Sequence, residues 1–529
     1  MPPPTRISLR VEHRRRNEKT MKLNYKRTIL VGFAFFLISA FWQAYDAIVP
    51  LILTNHFGLD QLLSGIVMSI DNVLAVFMLP IFGALSDRIM TVFGKRTPFI
   101  VVGTVAAVIA FVSLTFIDSY QLSAVLDAGI AERYNDAAQL LKEANATLKE
   151  AGKAGDVAAI TAAKDSIKYL NEVVITEIRQ DTLNITLGNL WPIVGFIAVL
   201  LVTLISMATF RSPAVALMPD VTIKPLRSKA NAIINLMGTA GGILVLVLGM
   251  IFKTSGNKYM QYTGYVLAVC AIMILGLLVF ITTVKERKWA REMEETTNAL
   301  GLDNSATDPN AGSRVLSGAE MKSLLLILAS VALWYIGYNS ITSKYSVYAT
   351  NILFFDFNFT LIIAQAAAIV AYIPVGIVAS KIGRRKTILA GITMLASAFF
   401  IANFITFSTP EILMYPVFIL AGIGWATINV NSFPMVVELA KGGEVGKYTG
   451  YYYTASMAAQ IVAPILSGAI YKLVGYMVGG DDIEGMRYVF FAFGTLFVAL
   501  SFVTMFFVRH GDAKAERQGA LESLGGADD

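Results

Sequence analysis

Three ionisable side chains lie inside stretches of the chain that are otherwise long and apolar. Asp46, Asp71 and Arg211 each stand eight or nine residues from one end of such a stretch. A helix rises about 1.5 Å per residue, so all three would lie roughly 12–14 Å deep in a hydrocarbon core about 30 Å thick. Charges at that depth are costly and usually functional. Two acids and one base at a common depth could relay a proton or another cation.

The neighbours of Asp46 favour a cavity wall. Trp42, Tyr45, Asp46 and Val49 recur at helical spacing and therefore share one face of a helix. A carboxylate on such a wall could carry a coupling proton if partial desolvation favoured its neutral form and a nearby arginine were released during a cycle. The alternative interpretation stays open for all three ionisable residues, namely a buried ion pair that only holds helices together.

Uncharged polar and aromatic side chains lie at similar depth. Amides offer paired donors and acceptors, and indole or phenol rings offer an apolar plane with a polar rim. A ring of hydroxyl groups needs both, so the set favours a sugar as ligand over an amphipathic drug. The predicted substrate contacts are Trp42, Gln43, Asn72, Trp334, Tyr338, Asn339, Gln365, Trp425, Asn429, Tyr453 and Gln460. Each of them could instead bridge helices or fill the core.

A short charged turn separates two of the apolar stretches. It runs from Gly83 through Asp87 and Arg88 to Gly94, Lys95 and Arg96. Such charges can pair with one another and with helix dipoles at the ends of helices, which predicts a conformational latch. The predicted latch residues are Gly83, Asp87, Arg88, Gly94, Lys95, Arg96, Asp220, Arg227 and Glu438. The alternative is an ordinary bias of basic residues toward one membrane face.

Membrane helices must position these residues. The chain has 529 residues, of which 56% are hydrophobic and 15% charged, whereas soluble domains carry roughly 25% charged residues. Lipid-exposed backbone must form its hydrogen bonds within its own segment, so each long apolar segment predicts a helix. The twelve predicted spans are 28–53, 62–85, 98–117, 188–219, 229–252, 260–284, 320–346, 359–380, 387–407, 412–437, 447–471 and 488–508.

The spans divide into two related halves. Pro80, Gly83 and Gly94 in the first half correspond loosely to Pro374, Gly376 and Gly383 in the second. We therefore predict an all-α membrane protein with twelve transmembrane helices in two six-helix pseudo-repeats, an arrangement that resembles the major facilitator fold. The predicted divisions are a basic cytoplasmic tail (1–27), an N-terminal bundle (28–284) with an external insert (118–187), a cytoplasmic linker (285–319), a C-terminal bundle (320–508) and a cytoplasmic tail (509–529).

The insert between spans three and four carries apolar residues at helical spacing from Ile130 to Leu148 and again from Val157 to Ile178. Gly152 and Gly155 interrupt the pattern, which predicts an amphipathic helical hairpin. Such a hairpin could act as a lid, a docking site for a partner or a ligand-recruiting element. It could equally be a decoration whose apolar faces only pack together.

Basic residues predict the orientation. Thirty of the 43 Lys and Arg residues lie on the face that carries both termini, against five in the short loops of the opposite face. We therefore expect a multi-pass plasma-membrane protein with both termini cytoplasmic. The net charge of +6 follows from this bias and needs no nucleic-acid partner, although basic ends can touch anionic lipid of the bilayer. We expect no cleavable signal peptide, and Met21 is an alternative start.

Catalytic and metal-binding patterns are not found. The histidines, His13, His56 and His510, are expected outside the spans, and Cys270 is the single cysteine. No HExxH or GxSxG motif is present. We therefore expect no enzyme activity, no cofactor, no metal centre and no intramolecular disulfide.

Three stretches carry a family resemblance. They are Gly83 to Ile100, Ser212 to Asp220 with Arg227 to Asn231, and Asn429 to Pro434 with Gly446 to Gly450. Together they resemble the sugar–cation symporter branch of the major facilitator superfamily, which contains sucrose/proton symporters and glycoside-pentoside-hexuronide:cation symporters. The resemblance implies that a sugar or glycoside, with a disaccharide as first choice, is carried with a proton by alternating access.

The chain departs from that branch at two of these sites. Thr97 stands where the branch has a third basic residue. Arg211 precedes Pro213, whereas sucrose carriers place an arginine two residues after the proline, a site that is Val215 here.

Other functions remain open. The same spans would suit an exporter of small amphipathic compounds, such as a drug/proton antiporter, or a sugar-sensing receptor. Sodium could replace the proton. We expect a monomer.

Overall fold

Long helices dominate the structure. The computed structural model describes residues 23–154, 156–223, 226–256, 258–299, 317–437, 439 and 445–510. Within these residues thirteen helices have 19 to 34 residues, and the twelve that lie outside the insert are numbered in chain order. They are α1 Tyr25–Leu51, α2 Gln61–Arg88, α3 Thr97–Asp127, α4 Trp191–Val221, α5 Arg227–Ile251, α6 Thr263–Thr283, α7 Gly318–Thr342, α8 Phe357–Ile382, α9 Arg384–Ala402, α10 Met414–Val437, α11 Val445–Val478 and α12 Asp482–Phe506.

The described helices confirm the prediction of an all-α membrane protein. Eleven of them contain a stretch long and apolar enough to cross a bilayer. In α8 the sequence is largely apolar from Phe359 to Ala379, and the helix spans Phe357–Ile382. No β-strand occurs within the described ranges.

Local sequence signals begin several of these helices. The Asp60 carboxylate accepts the backbone N–H of Leu63 at 2.7 Å at the start of α2. Ser317 and Glu320 form a reciprocal capping box at the start of α7. The Asp481 carboxylate accepts the backbone N–H of Glu484 at 2.9 Å at the start of α12. Side-chain oxygens therefore satisfy backbone donors that have no partner within the helix.

The two halves meet along α2 with α11 and along α5 with α8. Glycine allows the first contact to be close. A Cβ on Gly65 would lie 2.1 Å from the carbonyl oxygen of Pro464, and one on Gly468 would lie 2.3 Å from that of Gln61. The end of the bundle that carries the turn 57–60, the insert and residues 343–356 is called the insert face below. The opposite end, with the turn 89–96 and the linker, is called the linker face.

The insert is a helical hairpin, as predicted, but it begins later. Helix α3 continues to Asp127, ten residues past the predicted end of its span, and the chain turns at Gly129 with φ +69°. The insert then forms the helices Ile130–Ala154, Val157–Tyr169 and Thr176–Gly188, with a π-helix at Leu170–Ile175 between the last two. Ile130, Tyr134, Ala137, Leu141 and Ile178 are buried, whereas Val157 is 74% exposed.

His56 corrects one expectation. It ends a π-helix, Ile52–His56, that extends α1, so it belongs to the first span rather than to a loop. Its Nδ1 lies 2.6 Å from Oδ1 of Asp118 in α3, and both side chains are fully buried. Each polar residue interrupts an apolar pattern, but their pairing lets both helices continue past the predicted ends.

The second half repeats this irregular helix end. After α7 the short helix Tyr345–Tyr348 leads into a π-helix at Ala349–Leu353. The Nδ2 of Asn351 donates to Oδ1 of Asn55 at 2.9 Å, which joins the two π-helices. The pseudo-repeat is therefore visible in a backbone feature that the apolar pattern did not indicate.

Lys258, in the loop between α5 and α6, is a buried amine. It is 6% exposed, and its ammonium group lies 4.2 Å from the ring centroid of Tyr134 in the insert. Burial, reinforced by the charge of Arg179, lowers the pKa of Lys258 from 10.5 to about 7, and Asp481 opposes the shift. The packing of the insert therefore favours the neutral amine.

The lowered pKa predicts a pH-dependent stability. Between about pH 7 and pH 10 the unfolded chain holds a proton on Lys258 that the folded chain has released, so stability rises with pH across that window and is lowest below it. We expect the melting temperature of the solubilised protein to rise less between pH 7 and pH 9 in Lys258→Met. Lys253→Met, at an exposed site in the same loop, should keep the wild-type slope. Identical slopes in all three proteins would contradict the prediction.

Candidate functional site

A cavity of about 200 Å³ lies between the two halves. Helices α1, α2 and α4 contribute to its wall from the first half, and α7 and α11 from the second. The lining residues are Trp42, Asp46, Met68, Asp71, Asn72, Arg211, Asn339, Ser343, Gln460 and Pro464. The structure thus brings together all three predicted ionisable residues and four of the predicted substrate contacts.

The acids of the cavity face a single base. Asp46 is exposed although Tyr45 and Ala47 beside it are buried, so its carboxylate points into the cavity. Asn72 Nδ2 donates to Asp71 Oδ1 at 2.8 Å. Asp71 also lies within electrostatic range of Asp46 and of Arg211. With all three ionised the cluster carries one excess negative charge, which a proton or another cation can balance.

Trp42 connects this charge cluster to an aromatic wall. The Arg211 guanidinium lies 5.7 Å from the centroid of the Trp42 ring, within the range of a cation–π interaction. Phe41 and Tyr45 pack edge-on against the Trp42 ring, each with its own ring centroid 5.4 Å from that of Trp42.

Two polar groups on the cavity wall are buried without a hydrogen-bond partner among the described residues. They are the indole Nε1 of Trp42 and the hydroxyl of Ser343. Groups of this kind usually bind water or a ligand, because an unsatisfied buried donor is costly. Both groups belong to residues that line the cavity, so the lining includes polar groups that the protein itself does not satisfy.

Four further residues that were predicted as substrate contacts lie outside the cavity lining. Gln365 Nε2 donates to Gln43 Oε1 at 2.7 Å, which links α8 to α1 across the two halves. Tyr338 stacks on Trp425 with centroids 3.6 Å apart and rings 5° from parallel. These contacts show bridging and stacking, which the sequence analysis left open as an alternative to substrate binding.

The remaining three predicted contacts also pack within the second half. Trp334 is 1% exposed and lies in the hydrophobic core, and Asn429 is 8% exposed. The ring of Tyr453 packs against Phe433 with centroids 6.0 Å apart.

Arg96 is the centre of the predicted latch at the linker face. Its Nε donates to Asp220 Oδ2 at 2.7 Å and its Nη2 to Asp87 Oδ1 at 2.5 Å, and its Nη1 bonds to the Ser86 hydroxyl. The side chain is 7% exposed. Burial disfavours the charge, but the carboxylates of Asp220 and Asp87 outweigh it and raise the pKa of Arg96. Arg96 therefore ties the α2–α3 turn to the end of α4.

Glu286, at the start of the linker helix Glu286–Ala299, adds a second set of contacts to this turn. Its carboxylate accepts the backbone N–H groups of Lys95 at 2.6 Å, Arg96 at 2.9 Å and Thr97 at 2.8 Å, and the Thr97 hydroxyl at 2.7 Å. It thereby caps α3 and complements the dipole of that helix. Gly94 has φ +126°, and a Cβ there would lie 2.3 Å from the Glu286 carboxyl carbon.

The other predicted latch residues have separate positions. Arg88 is exposed. Arg227 donates to the carbonyl oxygens of Thr222 at 3.2 Å and Pro219 at 2.9 Å, so it closes the α4–α5 turn. A Cβ on Gly83 would lie 2.8 Å from the Ser212 hydroxyl. Glu438 lies outside the described residues.

The sequence profile of the Major Facilitator Superfamily matches residues 2–131 and 348–525, which is more than half of the chain. The chain belongs to the major facilitator superfamily. One curated relative, the MFS-type transporter ppzB of Metarhizium rileyi (strain RCEF 4871), is 28% identical over 109 residues. That match spans 21% of this chain and 22% of the relative's length.

Solved structures of the superfamily share the fold. The inward-open conformation of the xylose transporter XylE from E. coli superposes with a TM-score of 0.58 at 13% identity, over 94% of this chain and 98% of that one. A D-xylose-proton symporter gives 0.56 at 14% identity, over 91% and 98%. A bacterial homologue of the human drug peptide transporters PepT1 and PepT2 gives 0.55 at 12% identity, over 92% and 97%.

The protein is therefore a multi-pass membrane transporter of the major facilitator superfamily. Transporters built from repeated halves bind their substrates near the bilayer midplane, between the halves. The cavity around Asp46, Asp71 and Arg211 also lies between the two halves. The contacts of Arg96 and Glu286 lie at the linker face, where they join helices of the first half to one another and to the linker helix.

We expect Glu286→Ala to destabilise this superfamily member by about 2–4 kcal/mol, because it removes a helix cap and leaves several buried N–H groups unsatisfied. Thermal unfolding in detergent measures the change. Glu295→Ala is the matched control, since Glu295 lies on the same helix and, among the described residues, pairs only with Arg291 one turn away at an exposed site. It should change stability by less than about 0.5 kcal/mol. Equal melting temperatures for the two variants would contradict the capping role.

Proposed function

We propose that the protein is a secondary active transporter that carries a sugar or glycoside together with a proton by alternating access. One observation supports this most directly. A single cavity between the halves combines two carboxylates, one guanidinium, three amides and two unpartnered polar groups. The charged part suits ion coupling, and the uncharged part suits a ligand rich in hydroxyl groups.

The charges favour a proton as the coupling ion. One bound proton would remove the excess negative charge of the cluster. A sodium ion would need several oxygen ligands in the same place, and the nearby guanidinium of Arg211 would repel it. If the arginine pairs with a carboxylate in one state and releases it in another, the proton affinity of that carboxylate changes during the cycle. The acid can then bind a proton in one state and lose it in the other.

The uncharged lining favours a small polar substrate. Asn72, Asn339 and Gln460 supply amides from both halves, and Trp42 and Ser343 supply donors. This polar lining argues against the alternative function, export of amphipathic compounds.

Orientation and location belong to the proposal as well. Because the sequence carries thirty basic residues in the segments that we assign to the side of the linker face and five in the short loops of the insert face, we place the linker face in the cytoplasm. The insert is then external, both termini are cytoplasmic, and the protein acts as a monomer in the plasma membrane.

Counterflow in proteoliposomes tests the proposal. Purified protein is reconstituted with a pH-sensitive dye inside, and a panel of mono- and disaccharides is offered outside. We expect at least one sugar to exchange and its uptake to acidify the lumen. Protein-free liposomes are the control. Exchange of amphipathic cations without any sugar would contradict the proposal, and sugar uptake that follows a sodium gradient without acidification would contradict the proton.

A further inference from the structure

The last helix of the insert, Thr176–Gly188, is attached firmly to the first half. Gly58, in the turn after α1, has φ +67°, and a Cβ there would lie 2.6 Å from the backbone nitrogen of Leu183. The Thr186 hydroxyl donates to the carbonyl oxygen of Phe57 at 2.9 Å. Gln121 of α3 donates to Thr186 Oγ1 at 2.9 Å and to the carbonyl oxygen of His56 at 3.0 Å. These contacts make the helix move with α1 and α3.

Arg179 on this helix reaches across to the second half. Its Nη2 lies 2.8 Å from Oδ1 of Asp482, and its Nη1 bonds to the carboxylate of Asp481, both at the start of α12. Only 7% of its side chain is exposed. Burial disfavours the charge, but the two carboxylates outweigh it and raise the pKa of Arg179. The ion pair therefore joins the insert to the second half in a largely dry environment.

Asp482 also takes part in a wider set of contacts that closes the insert face. Asp482 accepts the backbone N–H of Gln61 at the start of α2. The Lys344 ammonium group, after α7, donates to the carbonyl oxygen of Gln61 and to its Oε1 at 3.2 Å. Lys472 of α11 pairs with Asp60 at 2.6 Å. Each of these contacts joins the first half to the second.

We propose that the insert is a clamp across the insert face, and that Arg179 is its gating residue. The idea rests on the alternating access proposed above. When the halves separate at this face, Arg179 moves with the first half and must release Asp481 and Asp482, which then become hydrated. A structural decoration would need only the contacts with Gly58, Phe57 and Gln121. The ion pair to α12 adds a link that depends on the conformational state.

Distances between spin labels test the clamp without any substrate. Leu126→Cys at the end of α3 and Tyr476→Cys near the end of α11 place labels at exposed sites, 46% and 84% exposed, one in each half. The native Cys270 is buried and is replaced by serine. Double electron–electron resonance then gives the ratio of separated to sealed molecules. We expect Arg179→Met to raise this ratio at least about fivefold, the lower end of typical coupling between sites.

Arg133→Met is the matched control. Arg133 is also an arginine of the insert, but it is 45% exposed and pairs with Asp181 at 2.6 Å within the insert. It should leave the ratio within about twofold of wild type. Arg179→Lys keeps the charge without the planar fork and should give an intermediate ratio. Unchanged distances in Arg179→Met, or equal shifts in both methionine variants, would overturn the clamp.

A second route covers the case in which Arg179→Met does not fold. Asp481→Asn keeps a good helix cap for α12 and leaves the bond between Asp482 and Gln61 in place, so it weakens the clamp alone. It should shift the ratio in the same direction, and no shift would overturn the inference. The spin-label distances are measured without substrate. A shift in the ratio of separated to sealed molecules, combined with no sugar exchange, would therefore contradict the proposed function and still support the clamp.

Discussion

Replacing Asp46 with asparagine should abolish concentrative uptake of the substrate while exchange continues. The amide keeps the size and most of the hydrogen bonds of the carboxylate but cannot bind and release a proton. One proton moved down a potential of 100 mV provides about 2.3 kcal/mol, which corresponds to roughly 50-fold accumulation. The variant should accumulate its substrate to a ratio of about one, as measured by radiolabelled uptake into energised proteoliposomes.

Asp165→Asn is the control for this experiment, because Asp165 is an exposed acid on the insert and far in sequence from the cavity residues. It should retain the wild-type accumulation ratio. If Asp46→Asn also accumulates substrate normally, Asp46 does not carry the coupled proton. Asp71, which shares the cavity, would then be the remaining acid of the cluster to test.

Replacing Arg211 with alanine should slow transport by at least about 100-fold while the protein still inserts into the membrane. The two acids of the cavity would lose the base that faces them, and an uncompensated charge near the bilayer midplane costs about 2.5–3.5 kcal/mol, or about 100-fold in a rate. Arg211→Lys should be less damaging, since it keeps the charge but loses the planar contact with the Trp42 ring.

Initial rates of counterflow, normalised to the amount of reconstituted protein, measure both variants. Gel filtration in detergent shows whether each of them is folded. Wild-type rates in Arg211→Ala would assign Arg211 a structural role, and equal losses in the alanine and lysine variants would show that the shape of the guanidinium matters more than its charge.

Most of the fold could be predicted because a membrane helix is indicated by its own local sequence. A run of apolar residues around Ile205 or Val269 needs no knowledge of its neighbours in space to be assigned to a span. The helix ends were harder. Asp118 looked like the end of its span, but it is buried beside His56, and only the fold brings these two residues together.

The candidate site likewise combines residues that the local sequence indicates with residues that only the fold reveals. Asp46, Asp71 and Arg211 stood out because charges inside apolar stretches are costly, and the structure places them around one cavity. Ser343 lines that cavity as well, but a serine after a helix gives no signal. Whether the three charges couple transport to a proton stays a prediction.

Contacts between residues that are far apart in sequence were the main feature that could not be predicted. Glu286 caps a helix whose first residue, Thr97, is 189 residues away in sequence, so no local pattern reveals the contact. Arg179 lies in a charged, polar segment, and its sequence context does not distinguish it from the exposed basic residues of the insert, such as Arg133 and Lys164. Its partners at Asp481 and Asp482 are about 300 residues distant.

The Glu286 cap has a mechanical consequence. Because it fixes the first turn of the linker helix to α3, residues up to Ala299 travel with the first half, and the covalent connection to Ser317 is left to 300–316. The linker helix therefore adds to the first half as one unit, and a rocking motion of the two bundles would carry it along with α3.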